Sequence, residues 1–245
     1  MPEFPIIRSL GVTAMVVTFA DRLEDRANRA ALAFRAATDA AAWPGVRETS
    51  MSLASVYVEF DPLEVCHAAM EDRLRTLLAE RDWYAAPQPP GRTYWQIPTV
   101  FGGALAPQFD EAAEAAGLTS GEALRDLTET RVRVMTLGFA PGQPYLGELP
   151  EAWNIPRQQQ LTPSVPQGAL IVAIRQLVLF TTPISTGWRH IGQTAFETFR
   201  QSSPDPFALS PGDEISFAPV TEAELARIRE TDTSGRGGAE TEVLA

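Results

Sequence analysis

The chain has 245 residues, 44% of them hydrophobic, and a net charge of −11. That length holds one large domain or two ordinary ones, and that charge excludes partners that need a basic face, nucleic acid and anionic membrane among them. Arginine supplies all the basic residues other than two histidines, so there is no lysine for a Walker-type phosphate loop, a Schiff base or biotin attachment. Ile6–Arg8 and Ala14–Phe19 read as strands. Leu23–Ala42 reads as a helix, with Ala27, Ala30, Ala31, Phe34, Ala37 and Ala41 at three- and four-residue steps, and Trp43-Pro44-Gly45 ends it. Val46–Thr49 and Val56–Phe60 follow as strands. A second helix opens at Asp61-Pro62 and carries an apolar stripe of Val65, Ala69, Leu74, Leu77 and Leu78. Two strands, a helix, two strands and a helix predict a small α+β layer with helices on one face of an antiparallel sheet.

Ala85–Arg92 is rich in proline and reads as a linker. The expected boundaries are therefore an N-terminal domain over 1–86, a β-barrel domain over 93–220, and a C-terminal helix with a flexible tail over 221–245. After the linker come a strand at Thr93–Ile97, a Gly102-Gly103 turn, a helix from Phe109 to Ala116, and a second helix announced by a Thr119/Glu122 capping box. Arg131–Gly138 is a strand. It leads into Leu137–Gly147, a loop with two prolines and three glycines around Phe139 and Tyr145. Such a loop is stiff, offers bare backbone N–H groups, and suits either a ligand wall or a barrel corner. Ala169–Ile174, Leu177–Thr181 and Glu214–Ala218 are further strands, spaced by Pro/Gly turns in the manner of a barrel. Thr221–Arg229 is a last helix, and 231–245 is expected to fray.

The single cysteine, Cys66, allows no internal disulfide and fits a reducing, cytoplasmic setting; beside a core stripe it reads as an inert buried thiol. One cysteine and two histidines do not make a usual zinc site, and no metal is expected. No signal-peptide pattern opens the chain, and no run reaches the roughly 18 apolar residues of a membrane span. His67 and His190 read as structural or surface residues. Arg157, just after Pro156, presents a planar fork that suits a carboxylate or phosphate, or else a barrel-closing salt bridge. Gln176 is either a ligand-reading amide or a partner for nearby backbone, and Trp188 either floors a pocket or fills the barrel.

Gly138-Phe139, Pro141-Gly142, Pro144-Tyr145-Leu146-Gly147, Pro156-Arg157, Val165-Pro166, Gly168, Gly187-Trp188, Ile191-Gly192, Thr194 and Pro211-Gly212-Asp213 stand in an order that resembles one family. Ile7-Arg8, Leu10-Gly11, Asn28, Pro44-Gly45-Val46 and Asp61-Pro62 agree with it. The family covers the B subunit of 5-oxoprolinase, allophanate hydrolase subunit 1 and a sporulation-kinase inhibitor, and the resemblance runs from about Ile6 to Pro219. It implies an α+β fold: a small, ferredoxin-like N-terminal α+β domain followed by a cyclophilin-like β-barrel. It also implies a cytoplasmic small subunit of a heteromeric, ATP-dependent 5-oxoprolinase or allophanate-hydrolase-like amidohydrolase, acting on a cyclic amide or similar C–N bond. The active site would be shared with a larger homologous subunit, with a TIM-barrel-like third subunit in some systems and ATP used by the assembled complex. The site residues it implies are Arg157 and Gln176 as catalytic groups. Phe139, Pro141, Gly142, Tyr145, Pro166, Gly168, Trp188, Gly192 and Thr194 would bind substrate. A non-catalytic regulator of a protein partner, or the carboxyltransferase half of a biotin-dependent carboxylase, are the alternatives. The chain departs from the family pattern at Leu127, where a histidine is usual, and at Leu161-Thr162, Gln176-Leu177-Val178, Phe180-Thr181, Ser185-Thr186 and Gln143.

Overall fold

A computed structural model describes residues 3–244. The chain divides into two compact units, Met1–Pro90 and Gly91–Ala245.

The first unit contains strands β1 (Ile6–Leu10), β2 (Ala14–Thr18), β3 (Val46–Ser52) and β4 (Ser55–Phe60) with helices α1 (Asp25–Ala41) and α2 (His67–Ala79). Its sheet order is β1-β2-β4-β3, antiparallel throughout. This is the ferredoxin-like order with the closing strand placed before the others rather than after them. Alternation sends Val56, Val58 and Phe60 inward against Ala27, Ala30, Ala31 and Phe34 of α1. α1 ends where Ala42 takes a left-handed conformation (φ 45°), ahead of Pro44. α2 starts at His67 and not at Asp61-Pro62. Asp61 is instead the head of a turn, its carboxylate accepting from the Leu63 N–H at 2.9 Å. Cys66, expected to be buried, occupies the position before the first helical residue and is exposed.

The second unit contains β5 (Thr93–Phe101), α3 (Phe109–Ala115), α4 (Ser120–Glu129), β6 (Val132–Leu137), β7 (Pro144–Gly147), β8 (Thr162–Val165), β9 (Ala169–Ala173), β10 (Gln176–Leu179), β11 (Ile184–Thr186), β12 (Arg189–Thr194), β13 (Glu214–Pro219), α5 (Glu222–Thr231) and β14 (Glu240–Val243). Seven strands run β12-β9-β10-β7-β6-β13-β5, and a β12–β5 pairing closes the ring. The capping box at α4 forms as expected, with Thr119 and Glu122 satisfying each other's backbone N–H groups. Alternate residues of these strands, Ile97, Val134, Leu146, Leu170, Leu177, Ile191 and Phe217 among them, share one buried cluster with Phe109, Leu127 and Trp153. Only inward-facing positions of a closed barrel can all meet in this way, so the interior is packed with side chains. The opposite face of β7, β9 and β10 carries a second, smaller cluster of Val165, Ile171, Val178, Phe180 and Trp188. A separate two-stranded ribbon, β8 with β11, contributes Val165 and Ile184 to it.

The segment expected to fray is ordered. β14 pairs with β5 from Glu240↔Gln96 to Val243↔Thr93. The Asp232 side chain accepts from the Ser234 and Gly237 N–H groups, which turns the chain back toward that edge.

Candidate functional site

The Pro/Gly loop between β6 and β7 closes on itself. The Gly138 N–H donates to the Gln143 carbonyl at 3.0 Å and the Gln143 N–H to the Ala140 carbonyl at 3.1 Å. Two of the N–H groups expected to be bare are therefore engaged. Gly142 (φ 69°) is packed so that a Cβ would stand 2.6 Å from the Thr198 carbonyl, which no side chain tolerates. The loop is thus a rigid corner, and it throws Phe139, itself at φ 73° and 77% exposed, onto the rim of a cleft.

That cleft measures about 470 Å³ and lies on the outer face of the barrel, beside the β8–β11 ribbon. Tyr145, Ile171, Val178, Phe180 and Trp188 form its apolar wall, Phe139 and Leu161 its rim, and Gln143, Gln158, Ser185, Thr186 and Arg157 its polar groups. The volume falls within the range of small-ligand sites. Tyr145 and Trp188 meet edge to face, centroids 6.4 Å apart. The Arg157 guanidinium carbon lies 5.3 Å from the centre of the Trp188 ring. No carboxylate among the described residues pairs with Arg157, and no other charged side chain lines the cleft. The barrel-closing salt bridge considered for this residue does not form.

Its backbone, by contrast, is tied down on both sides. The Pro156 carbonyl accepts from Arg189 at 2.8 Å, and the Gln158 N–H donates to the Gly187 carbonyl at 2.7 Å. The Gln158 amide then donates to the Trp188 carbonyl at 3.1 Å and accepts from Gln108 at 2.7 Å, while the Gln108 oxygen takes the His190 N–H at 2.9 Å. Thr186 Oγ1 accepts from the Trp188 N–H at 3.1 Å. A cation held at its base and free at its tip, stacked on an indole, suits a ligand carboxylate. His190 lies behind this network. Burial holds its imidazole below the ordinary range, opposed by the Gly192 backbone and the Gln193 side chain, which act to raise it.

Phe139, Tyr145, Arg157 and Trp188 are thus brought together. Gln176 is not among the lining residues; it is buried on β10, one alternation beyond Val178, with its side-chain nitrogen unpaired. Gly168 and Thr194 line a different, polar cleft of about 340 Å³ with Arg229 and Asp232. There Thr194 Oγ1 donates to the Gly168 carbonyl at 3.0 Å, and a Cβ on Gly168 (φ 75°) would strike the Thr194 carbonyl. Gly192 packs against Thr99 and Leu170, and Pro141 and Pro166 sit on exposed turns. Sequence reasoning passed over Gln143, Gln158, Ser185 and Thr186 as ligand-facing groups. Gln158 follows Arg157 directly, and Gln143 stands just before β7 and two residues before Tyr145, so adjacency to those two residues was the available signal.

Residues 5–209 match the family described as carboxyltransferase domain, subdomain C and D. The chain is 28% identical over 240 residues to the B subunit of 5-oxoprolinase from Bacillus subtilis (strain 168), covering 91% of this chain and 96% of that one. It is 33% identical over 133 residues to the protein of the same name from Escherichia coli O157:H7, covering 54% of this chain and 61% of that one. Among solved structures, TTHA0988 superposes with a TM-score of 0.71 at 26% identity, covering 88% of this chain and only 40% of its own length. The same fold therefore occurs within a chain more than twice as long.

Proposed function

The chain belongs to the carboxyltransferase-domain family, subdomains C and D, and from that premise we propose that it is the small subunit of a 5-oxoprolinase-type enzyme that opens a cyclic amide. The observation that carries the reading is Arg157: a cation without a carboxylate partner among the described residues, fixed at its backbone and stacked on Trp188 at the mouth of a cleft. Such a group holds a small carboxylate while Tyr145, Ile171 and Val178 pack the ring that bears it. Both relatives carry the name of one component of a larger enzyme, which supports assembly with other chains; in the proposed complex a larger homologous subunit is the first of these. The exposed apolar rim of Phe139 and Leu161 is consistent with a partner completing the cleft.

ATP does not fit this cleft. A triphosphate needs several cations or a row of free N–H groups, and the lining offers one arginine. In the proposed complex the nucleotide is held elsewhere, and this chain's part is to bind and orient the carboxylate-bearing amide and to exclude water on one side. A regulatory role draws support from a different observation: the barrel interior is filled, and Gln176 stands apart from Arg157 and Trp188. Co-expression with a larger carboxyltransferase-domain subunit from the same source separates the two. The enzymatic reading predicts one complex on a sizing column that releases glutamate from 5-oxoproline only with ATP. A complex with no turnover, or no complex at all, contradicts it.

A further inference from the structure

Gln143 is 2% exposed and lines the cleft, yet its side-chain carbonyl oxygen has no hydrogen-bond donor. Extending the β7–β10 register from Tyr145↔Val178 sets Gln143 opposite Phe180, on the same outer face as Tyr145, and all four of these residues line the cleft. The backbone N–H of Gln143 and its carbonyl are both used inside the loop, so the side chain is its one uncommitted acceptor. Buried polar groups are nearly always paired, so this oxygen is left for whatever occupies the cleft. The terminal torsion of a glutamine is broad and roughly two-fold, so rotation of the amide presents the oxygen to whatever fills the cleft.

We propose that Gln143 is a specificity-determining residue: its carbonyl accepts a hydrogen bond from an N–H of the ligand while Arg157 holds the ligand's carboxylate. The ligand class is thereby a small acid carrying an amide or lactam N–H. This assignment rests on the functional reading above, and it adds that a cleft with an unpaired acceptor rejects an otherwise identical ligand lacking the donor. Replacing the amide by a hydrocarbon of similar size removes an unsatisfied group, so Gln143→Leu folds as stably as the natural chain or more so.

The test is calorimetric titration of the full chain with two probes, 5-oxo-L-proline and the lactone 5-oxotetrahydrofuran-2-carboxylate, in which a ring oxygen replaces the N–H. The natural chain binds the lactam at least about tenfold tighter than the lactone. Gln143→Leu binds the two within about threefold of each other, at an unchanged or higher melting temperature. Equal affinity in the natural chain, or discrimination that survives in Gln143→Leu, overturns the assignment and leaves carboxylate binding by Arg157 standing. Failure of the natural chain to bind either probe, both alone and in complex with the larger subunit, overturns the functional reading as well.

Discussion

At the scale of single residues, the cleft is built by restraint. Arg157 is held through Pro156 and Gln158 rather than through its own side chain, and this leaves the guanidinium available. Its residue type and its place after Pro156 were legible in the sequence; the indole beneath it was not, because Trp188 is 31 residues away and reaches it only through the Gln158–Gly187 and Gln158–Trp188 hydrogen bonds. Gln176 reads in the sequence as a ligand-reading amide or a partner for nearby backbone, and the resemblance makes it a catalytic group beside Arg157. Strand parity sends it to the far end of the same outer face, away from the cleft lining. His190 gives a residue-scale prediction. Its folded-state pKa is depressed below the ordinary 6.5, so below that pH the unfolded chain binds more protons than the folded one. Stability contributed by the neutral imidazole is therefore complete above about pH 6.5 and is lost as the pH falls below it. Denaturant titrations between pH 5 and pH 7 will show this loss in the natural chain and a smaller one in His190→Gln. Equal slopes in the two proteins would contradict it.

At the scale of elements, hydrophobic periodicity placed most strands and helices, and capping chemistry placed the start of α4. It failed where a segment has no apolar face. Every residue of β14 is exposed, and the strand exists only because the edge of β5 accepts it. It also failed at Asp61-Pro62, where a helix-start signal is spent on a turn six residues before α2 begins at His67. Asn28, part of the family pattern, proves to be a brace between elements. From inside α1 its amide donates to the Leu53 carbonyl at 2.6 Å, holding the β3–β4 hairpin where Leu53 takes φ 51°. Asn28→Ala strips that part-buried carbonyl of its donor and is expected to cost about 1–3 kcal/mol of stability. The denaturant midpoint measures it, with an unchanged slope. A loss under about 0.5 kcal/mol, as for a surface substitution, would show that the hairpin does not depend on the brace.

At the scale of the whole molecule, the α+β layer and the β-rich half could be read from element order, and the barrel's closure from the resemblance. Sequence could not reveal that the barrel interior is filled and that the cleft lies outside it, under a ribbon that belongs to neither edge of the main sheet. That arrangement follows from alternation in β7, β9 and β10, where both faces are apolar and the sequence shows no inside or outside. A site on the outer face of a subunit is a site another chain can complete, which joins the cleft to the multi-subunit reading. The direct measurement is ATP-dependent glutamate release from 5-oxoproline by the assembled complex, with the natural chain and with Arg157→Ala. The account predicts that Arg157→Ala assembles normally, keeps its melting temperature, and loses about 10- to 100-fold in kcat/KM, the loss expected for one charge-assisted contact. Full activity in Arg157→Ala, or a collapse of the folded state, would contradict it.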